Sequence, residues 1–494
     1  MASSTTYGDW MRRIPGGIKN IGKPLTFAGF AVLVAALVLS MVNVLAAGGV
    51  LVLGIGTITI LSVRDREHRN VVDRKIEQLA YRTSMRKGRN LYRSGMLAPI
   101  DGGMAALPGI LSRIGLVEAL DGFGRPFCLL HHAHSGEYSL PLTCHPQGAA
   151  LVDDDVEDSY VASWAAFLDF LSTEVGVRQL SVTVDTSPDS GIRFRKTLAR
   201  NVVADAPELA AKAMAQVMGL YSTGGARSEA TLTLTFCFKD VRGRFLEPEE
   251  AARRIGQMIP DIEEHVADAG GGSPTMLGLD QMARMVRICF DPAAQDKFED
   301  MDEQHPTFWE DAGPMAHEAM WDWYRHDSGV SRSWEMCDPP RSSVTADTIS
   351  RLLKPLEDCD RKRVTLQFRL ASPERTAFMA EQNRQLATSQ VSQEKRATVK
   401  SMTQIAKANR QAQEAEQGAM IVFFGLVVTV TVMAGEGEQD RLEMASRAVE
   451  SAAGSAKDDL RICYGAQDTA FAASLPLGLT LASYAPPGLL GHLR

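Results

Sequence analysis

Cysteine is scarce and unpaired in this chain. Its seven cysteines, Cys128, Cys144, Cys237, Cys289, Cys337, Cys359 and Cys463, are odd in number and include no C-x-x-C pair, which excludes a disulfide framework and a zinc ribbon. Thiols of this kind suit a reducing compartment, so the bulk of the chain is expected in the cytoplasm. A basic excess is also lacking. The net charge of -8 argues against a surface that coats nucleic acid, although local basic strips are compatible with it. A complete phosphate-binding loop is missing as well: Gly17 to Lys23 reads G-I-K-N-I-G-K, and Pro24 stands where Ser or Thr would hold Mg²⁺. His317 and Glu318 open H-E-A-M-W, which has Trp321 where a zinc-protease helix needs its second His. These gaps exclude a built-in P-loop motor and a zinc-protease helix.

Long uncharged runs are absent too, with one exception: Pro24 to Val63 carries no charge over forty residues. A bilayer-spanning helix takes about 20 apolar residues, so this block predicts two spans, about Leu25 to Met41 and Val50 to Val63, reversing near Asn43 and the Ala46 to Gly49 stretch. Arg12, Arg13, Lys19 and Lys23 precede the block, and Arg64, Arg66, Arg69, Arg74 and Lys75 follow it. Basic residues on both flanks predict a multi-pass protein of the cytoplasmic membrane with both termini and the soluble bulk in the cytoplasm.

The fold class expected is α+β: a transmembrane helical hairpin over 1–63, a basic juxtamembrane linker over 64–125, and a cytoplasmic α+β region. In that region a pattern occurs twice. Helix Glu157 to Thr173, strand Gln179 to Asp185, the alternating strand Thr231 to Phe238 and helix Pro248 to Ala267 form the first copy. Helix Ala346 to Leu356, strand Arg363 to Leu370, strand Ile421 to Val432 and helix Gln439 to Ala453 form the second. Two ferredoxin-like, split βαβ repeats are the expected architecture, with domains at 126–300 and 346–494 joined by a Trp-rich segment, 301–345. Arg384 to Gln417 is polar and reads as an exposed helical arm inserted in the second copy.

Several constellations could carry chemistry. Cys128, His131, His132, His134, Cys144 and His145 flank a predicted hairpin, but alternation puts His131 and His132 on opposite faces, so only part of the set could converge on a metal. Asp153, Asp154 and Asp155 read as charges favourable to a helix N-terminus. Four of the six tryptophans, Trp309, Trp321, Trp323 and Trp334, fall together, next to Arg325, His326, Asp327 and Ser328. Large aromatics anchor cores and interfaces. Core packing between the repeats is the first reading of this block. As contact candidates for a partner, Trp309, Trp321, Trp323, Arg325, His326 and Trp334 are the second. No catalytic residue, cofactor or metal is assigned.

The basic N-terminus with its two-span hairpin, LYRSGMLAP (Leu91 to Pro99), DGFGRPFCLLHH (Asp121 to His132), GAALVDDD (Gly148 to Asp155), WEDAGP, WDWYRHDSG and AFAASLPLG (Ala470 to Gly478) together resemble one group. It is the actinobacterial PrgI-related membrane proteins of conjugative, type IV secretion-like systems. The resemblance covers nearly the whole chain and is weakest over Arg384 to Gln417. It implies a PrgI-like hairpin fused to a region like the non-ATPase front part of the conjugation traffic ATPase, with AFAASLPLG like the segment leading into the motor domain. The function implied is a non-enzymatic, membrane-anchored scaffold that docks a separate P-loop traffic ATPase. Its partners would be that ATPase, the lipid membrane, other secretion subunits and copies of itself, while the net charge of -8 disfavours direct nucleic acid binding. A metal-dependent hydrolase built on the Cys128 to His145 cluster is one alternative. A DNA adaptor using Lys395, Arg396, Lys400, Lys407 and Arg410 is another, and would show steep salt dependence.

Overall fold

The computed structural model describes residues 23–62, 71–94, 107–146, 148, 152–201, 207–221, 225–301, 305–340, 344–393, 399–416 and 418–484. The uncharged block folds as two antiparallel helices, α1 (Lys23–Ser40) and α2 (Val44–Ser62). The chain reverses at Met41 to Asn43, where the Asn43 Oδ1 accepts the backbone N–H groups of Leu45 and Ala46 at 3.0 and 3.3 Å. This cap starts α2 ahead of the Ala46 to Gly49 stretch, so that stretch is helical and not the expected turn. Gly54 lets the helices close, since a Cβ there would lie 2.2 Å from Val32 Cγ1.

The membrane expectation needs correction. Among the described residues, no helix is long and apolar enough to cross a membrane. The reversal divides the uncharged run into helices of 18 and 19 residues, which rise about 27 and 28 Å against a hydrocarbon core of about 30 Å. The transmembrane hairpin is therefore replaced by a packed helical hairpin. The multi-pass placement in the cytoplasmic membrane that depended on it is withdrawn.

Beyond the hairpin come α3 (Val71–Arg86), β1 (Leu91–Arg93), β2 (Ile114–Leu120), β3 (Pro126–His132), β4 (Glu137–Cys144), α4 (Asp154–Thr173), β5 (Val177–Pro188), α5 (Ile192–Asn201), α6 (Glu208–Tyr221), β6 (Ala226–Phe236), α7 (Pro248–Val266), β7 (Thr275–Met276), α8 (Leu279–Phe290) and α9 (Gln295–Asp300). The chain continues through β8 (Ala316–Ala319), β9 (Tyr324–His326), β10 (Gly329–Asp338), α10 (Ser350–Leu353), β11 (Arg361–Leu370), α11 (Pro373–Gln393), α12 (Val399–Glu416), β12 (Val422–Met433), α13 (Glu438–Ser455), β13 (Asp459–Ile462) and α14 (Gln467–Ser474). Among the described residues thirteen strands join one antiparallel sheet, ordered β1-β8-β9-β10-β12-β11-β5-β6-β4-β3-β2, with β7 beside β4 and β13 beside β10.

Pairing shows a duplication. The order β7-β4-β6-β5 in the first half corresponds to β13-β10-β12-β11 in the second, the split βαβ arrangement in each case. Each first strand is shared in the same way: β4 pairs β3 early and β7 late, as β10 pairs β9 early and β13 late. The halves join edge to edge through β5 and β11, with Thr183 opposite Thr365. Their hydroxyls hydrogen bond at 3.1 Å, at the centre of the pseudo-twofold relation. The segments read from sequence as a linker and a Trp-rich connection supply β1, β2 and β8–β10 to the sheet.

Alternate residues of each strand point to opposite faces, and each face carries a packed core. Phe127 and Leu129 of β3 join a core under α4 and α7, with Phe167, Leu171, Ile255 and Ile259. Val330, Trp334, Val364 and Val428 form the matching core under α10 and α13 in the second half. Cys128 and Leu130 face the other way, into a core made by α8, α14 and Leu475, Leu477 and Leu479.

Candidate functional site

The tryptophan block forms the start of the second repeat. Trp334 is fully buried on β10, and its Nε1 finds no acceptor among the described residues. Trp309 donates from Nε1 to the Ile114 carbonyl at 2.8 Å. Trp321 meets Tyr81 edge-on at 5.1 Å and stacks with Tyr464 at 5.7 Å, tying α3 to the sheet. Trp323 lies under the Arg325 guanidinium, 5.9 Å away, and Arg325 also pairs with Glu438 of α13. His326 is completely buried. The six contact candidates are thus distributed through core and half-buried positions and do not form one exposed face.

What the strands bring together instead is a buried polar layer on the α14 face of the sheet. His326 Nδ1–H donates to the Phe290 carbonyl at 2.6 Å, which leaves Nε2 to accept from Ser331 Oγ at 2.7 Å; Ser331 and Thr431 hydroxyls meet at 2.7 Å. The first repeat has the same relay: His132 Nε2 with Ser139 Oγ at 2.9 Å, and Ser139 with Thr235 Oγ1 at 3.0 Å. Burial holds both rings neutral, lowering His326 to about 3 and His132 to about 4. A Ser–His pair is a nucleophile's arrangement, but here it occurs twice and each serine is wholly buried. Both relays lie in the interior, out of reach of a substrate.

Beside the pseudo-twofold centre, Asp185 pairs with Arg361 at 2.8 Å and with Arg363 at 3.2 Å. Burial pushes the Asp185 carboxyl up, and the two guanidiniums outweigh it, holding the group below the usual carboxylate range. Arg363 is 1% exposed, and its Nη2 has no partner among the described residues. Its guanidinium also sits 5.5 Å from the Phe471 ring centroid, where a cation gains from the ring quadrupole.

The segment Ala470 to Gly478 and the residues just beyond it form a strap across this layer. Its carbonyls accept from the sheet: Gln367 Nε2 to Ala473 at 3.2 Å, Thr365 Oγ1 to Ser474 at 2.9 Å, Thr233 Oγ1 to Pro476 at 3.3 Å, and Thr235 Oγ1 to Gly478 at 2.7 Å. Gln179 Nε2 reaches Leu479 at 3.3 Å. The strap therefore bonds to both repeats. No regular strand pairing would give its carbonyls these partners, so the threonines of the strands supply them.

The Cys/His set is dispersed. Cys128 and Cys144 are buried, with burial raising their thiols to about 12 and about 11. His131 stacks on Tyr138 at 4.8 Å and His134 on Tyr484 at 4.9 Å. Among the described residues no three His, Cys, Asp or Glu side chains are placed to hold a metal ion. Asp153 precedes α4 as its N-cap residue without a side-chain cap bond. Lys395 and Arg396 lie outside the described residues, as does Gly17 to Gly22.

The large concavity lies elsewhere, in a cleft of about 870 Å³ on the α10 and α13 face. Its floor is Leu366 and Phe368 of β11 with Phe424 and Leu426 of β12. Trp164 and Leu168 of α4 wall one side, and Phe378 and Leu386 of α11 wall the other. Asn383 and Gln411 join α11 to α12 at 3.0 Å, so the polar insert read as an arm is a helical pair that flanks the cleft. This volume lies within the range of about 300–1,000 Å³ typical of ligand sites. Sequence reasoning missed the cleft, because its walls, on α4 and α11, come from segments more than 200 residues apart.

Residues 16–73 are similar to a family described as a domain of unknown function, DUF8461. No curated protein matches the chain.

Proposed function

We propose that this chain is a non-enzymatic scaffold subunit of a conjugative, type IV secretion-like machine, and that it docks a separate P-loop ATPase. The observation that carries the reading is the contrast between its polar groups and its open surface. The His–Ser–Thr relays and the Asp185–Arg361–Arg363 cluster are buried and engaged under the strap, where they hold a platform together. The open concavity is lined mainly by apolar and aromatic side chains, a surface suited to gripping a partner. The likeness of AFAASLPLG to the segment that leads into a traffic ATPase motor supports the same reading. The test is affinity purification of the tagged full chain from its native cells under mild conditions, with crosslinking and mass spectrometry. A P-loop ATPase crosslinked to the chain is the expected result. Nucleotide hydrolysis at enzymatic rates by the purified chain alone would overturn the proposal.

A further inference from the structure

The α1–α2 hairpin packs by one device on its inside and carries the parts for the same device on its outside. Inside, Val32 of α1 fills the hollow at Gly54 of α2, where a Cβ would lie 2.2 Å from Val32 Cγ1, and a Cβ on Gly29 would lie 3.5 Å from Ile58. These contacts fix the register of the two antiparallel helices. With 3.6 residues per turn, Phe27, Phe30, Val34, Leu37 and Met41 are turned about 140–220° away from Val32, and all five are 46–85% exposed. They follow one another at alternating spacings of three and four residues, the spacing of a helix–helix seam. On α2 the positions turned equally far from Gly54 are Leu45, Gly49, Val52 and Gly56. Leu45 and Val52 are exposed, and among the described residues nothing lies within 4 Å of a Cβ placed on Gly49 or Gly56. One outer side of the hairpin is therefore a row of large apolar side chains, and the other is a row with two hollows.

Height along the hairpin relates the two rows. Because the helices are antiparallel, five residues on from Val32 and five back from Gly54 put Leu37 level with Gly49. Two residues back and two on put Phe30 level with Gly56 in the same way. A second copy, turned about an axis parallel to the hairpin, keeps these heights. Its Phe30 and Leu37 then face the hollows at Gly56 and Gly49, as Val32 faces Gly54. No charge occurs from Pro24 to Val63 to oppose the contact. Its buried area would be on the order of 1,000 Å² over both copies, the size at which specific interfaces begin.

We propose that copies of this chain associate hairpin to hairpin, with the outer row of α1 on one copy packed on the outer row of α2 on the next. The contact is head-to-tail, so every copy has two neighbours and the assembly closes into a ring. It holds whether or not an ATPase docks on the sheet. Apolar area alone would accept any apolar cover, whereas the matched heights of knobs and hollows specify a second copy.

The test uses the full chain in its native cells, expressed with two different tags and carrying the photocrosslinking amino acid p-benzoylphenylalanine at Leu37, or at the exposed Val241 as a control. Crosslinks between differently tagged copies are expected from position 37 but not from 241, with the joined peptide in 45–56 of the neighbour and a ladder that continues past the dimer. Gly49→Leu and Gly56→Leu fill the hollows while favouring the helix itself. Each should lower the crosslinked fraction about tenfold, equivalent to about 1.4 kcal/mol, with helix content by circular dichroism retained. A ladder that stops at the dimer, with position 37 joined to α1 of the other copy, would overturn the head-to-tail pairing. Crosslinks only to lipid or to a different protein, or none from position 37, would overturn the second copy as occupant. A crosslinked fraction unchanged in both glycine variants would overturn the packing of knobs into hollows.

Discussion

Asp185 pairs with two buried guanidiniums, Arg361 and Arg363, in the middle of the sheet. Asp185→Ala removes the carboxylate that both guanidiniums pair with and should destabilise the chain by about 3–5 kcal/mol in a denaturant titration. The histidines make a prediction about pH. His326 and His132 have folded pKa values of about 3 and about 4, below the ordinary 6.5, because burial opposes charging. Below pH 6.5 the unfolded chain binds protons that the folded chain refuses, so each ring's contribution is complete above pH 6.5 and declines as pH falls toward the folded value. Between pH 6.5 and 4.5 each ring should cost about 2–3 kcal/mol. In His326→Gln the fall in stability over that interval should be smaller than in the wild type, as read from urea midpoints at several pH values. Composition shows these residues to be few, but only the fold shows that His132 and His326 occupy the same place in two repeats.

At the scale of elements, the strap is the least expected part of the molecule. In the TLTLTFCF run, alternation correctly separates Leu232, Leu234 and Phe236 from Thr231, Thr233 and Thr235 onto two faces. A period of two says nothing about what covers each face. The threonine face is buried because the strap needs hydroxyl donors for its carbonyls. Gly478 is held there at φ +67°, and an added Cβ would sit 2.5 Å from both Ser139 Oγ and Thr235 Oγ1. Gly478→Ala should therefore lower stability by about 2 kcal/mol or more, since steric displacement adds to the left-handed backbone. Gly243, at φ +78° with nothing near its Cβ position, makes the control, with about 1–2 kcal/mol expected from backbone strain alone. Both are measured by thermal or chemical unfolding. The uncharged block carries a related lesson. Its composition indicates helix, while Asn43 decides where the run is divided and leaves each piece shorter than a bilayer is thick.

Over the whole molecule, one sheet runs through both repeats, and β5 and β11 are paired from Lys362–Thr186 to Arg369–Gln179. The strap bonds to strands on each side of that seam. The two repeats should therefore unfold as one cooperative unit. Native-state hydrogen exchange checks this: amides of β4 and β12, one in each repeat, should share the same highest opening energy. Opening energies differing by several kcal/mol would mean that the repeats are separate folding units.

From sequence alone, helix and strand periodicity located β5, β6, β11 and β12 and the helices α4, α7 and α13 close to where they lie, because these elements have a buried stripe and period is a local property. The absence of a phosphate-binding loop is likewise read directly from the chain. Tertiary structure decided the rest. It drew the tryptophan block into β8, β9 and β10, placed the AFAASLPLG segment on a polar face 106 to 243 residues away in sequence, and left a cleft between α4 and the α11–α12 pair. Such features depend on which residues meet across the sheet, and that is set by long-range pairing and by the donors and acceptors each face must satisfy.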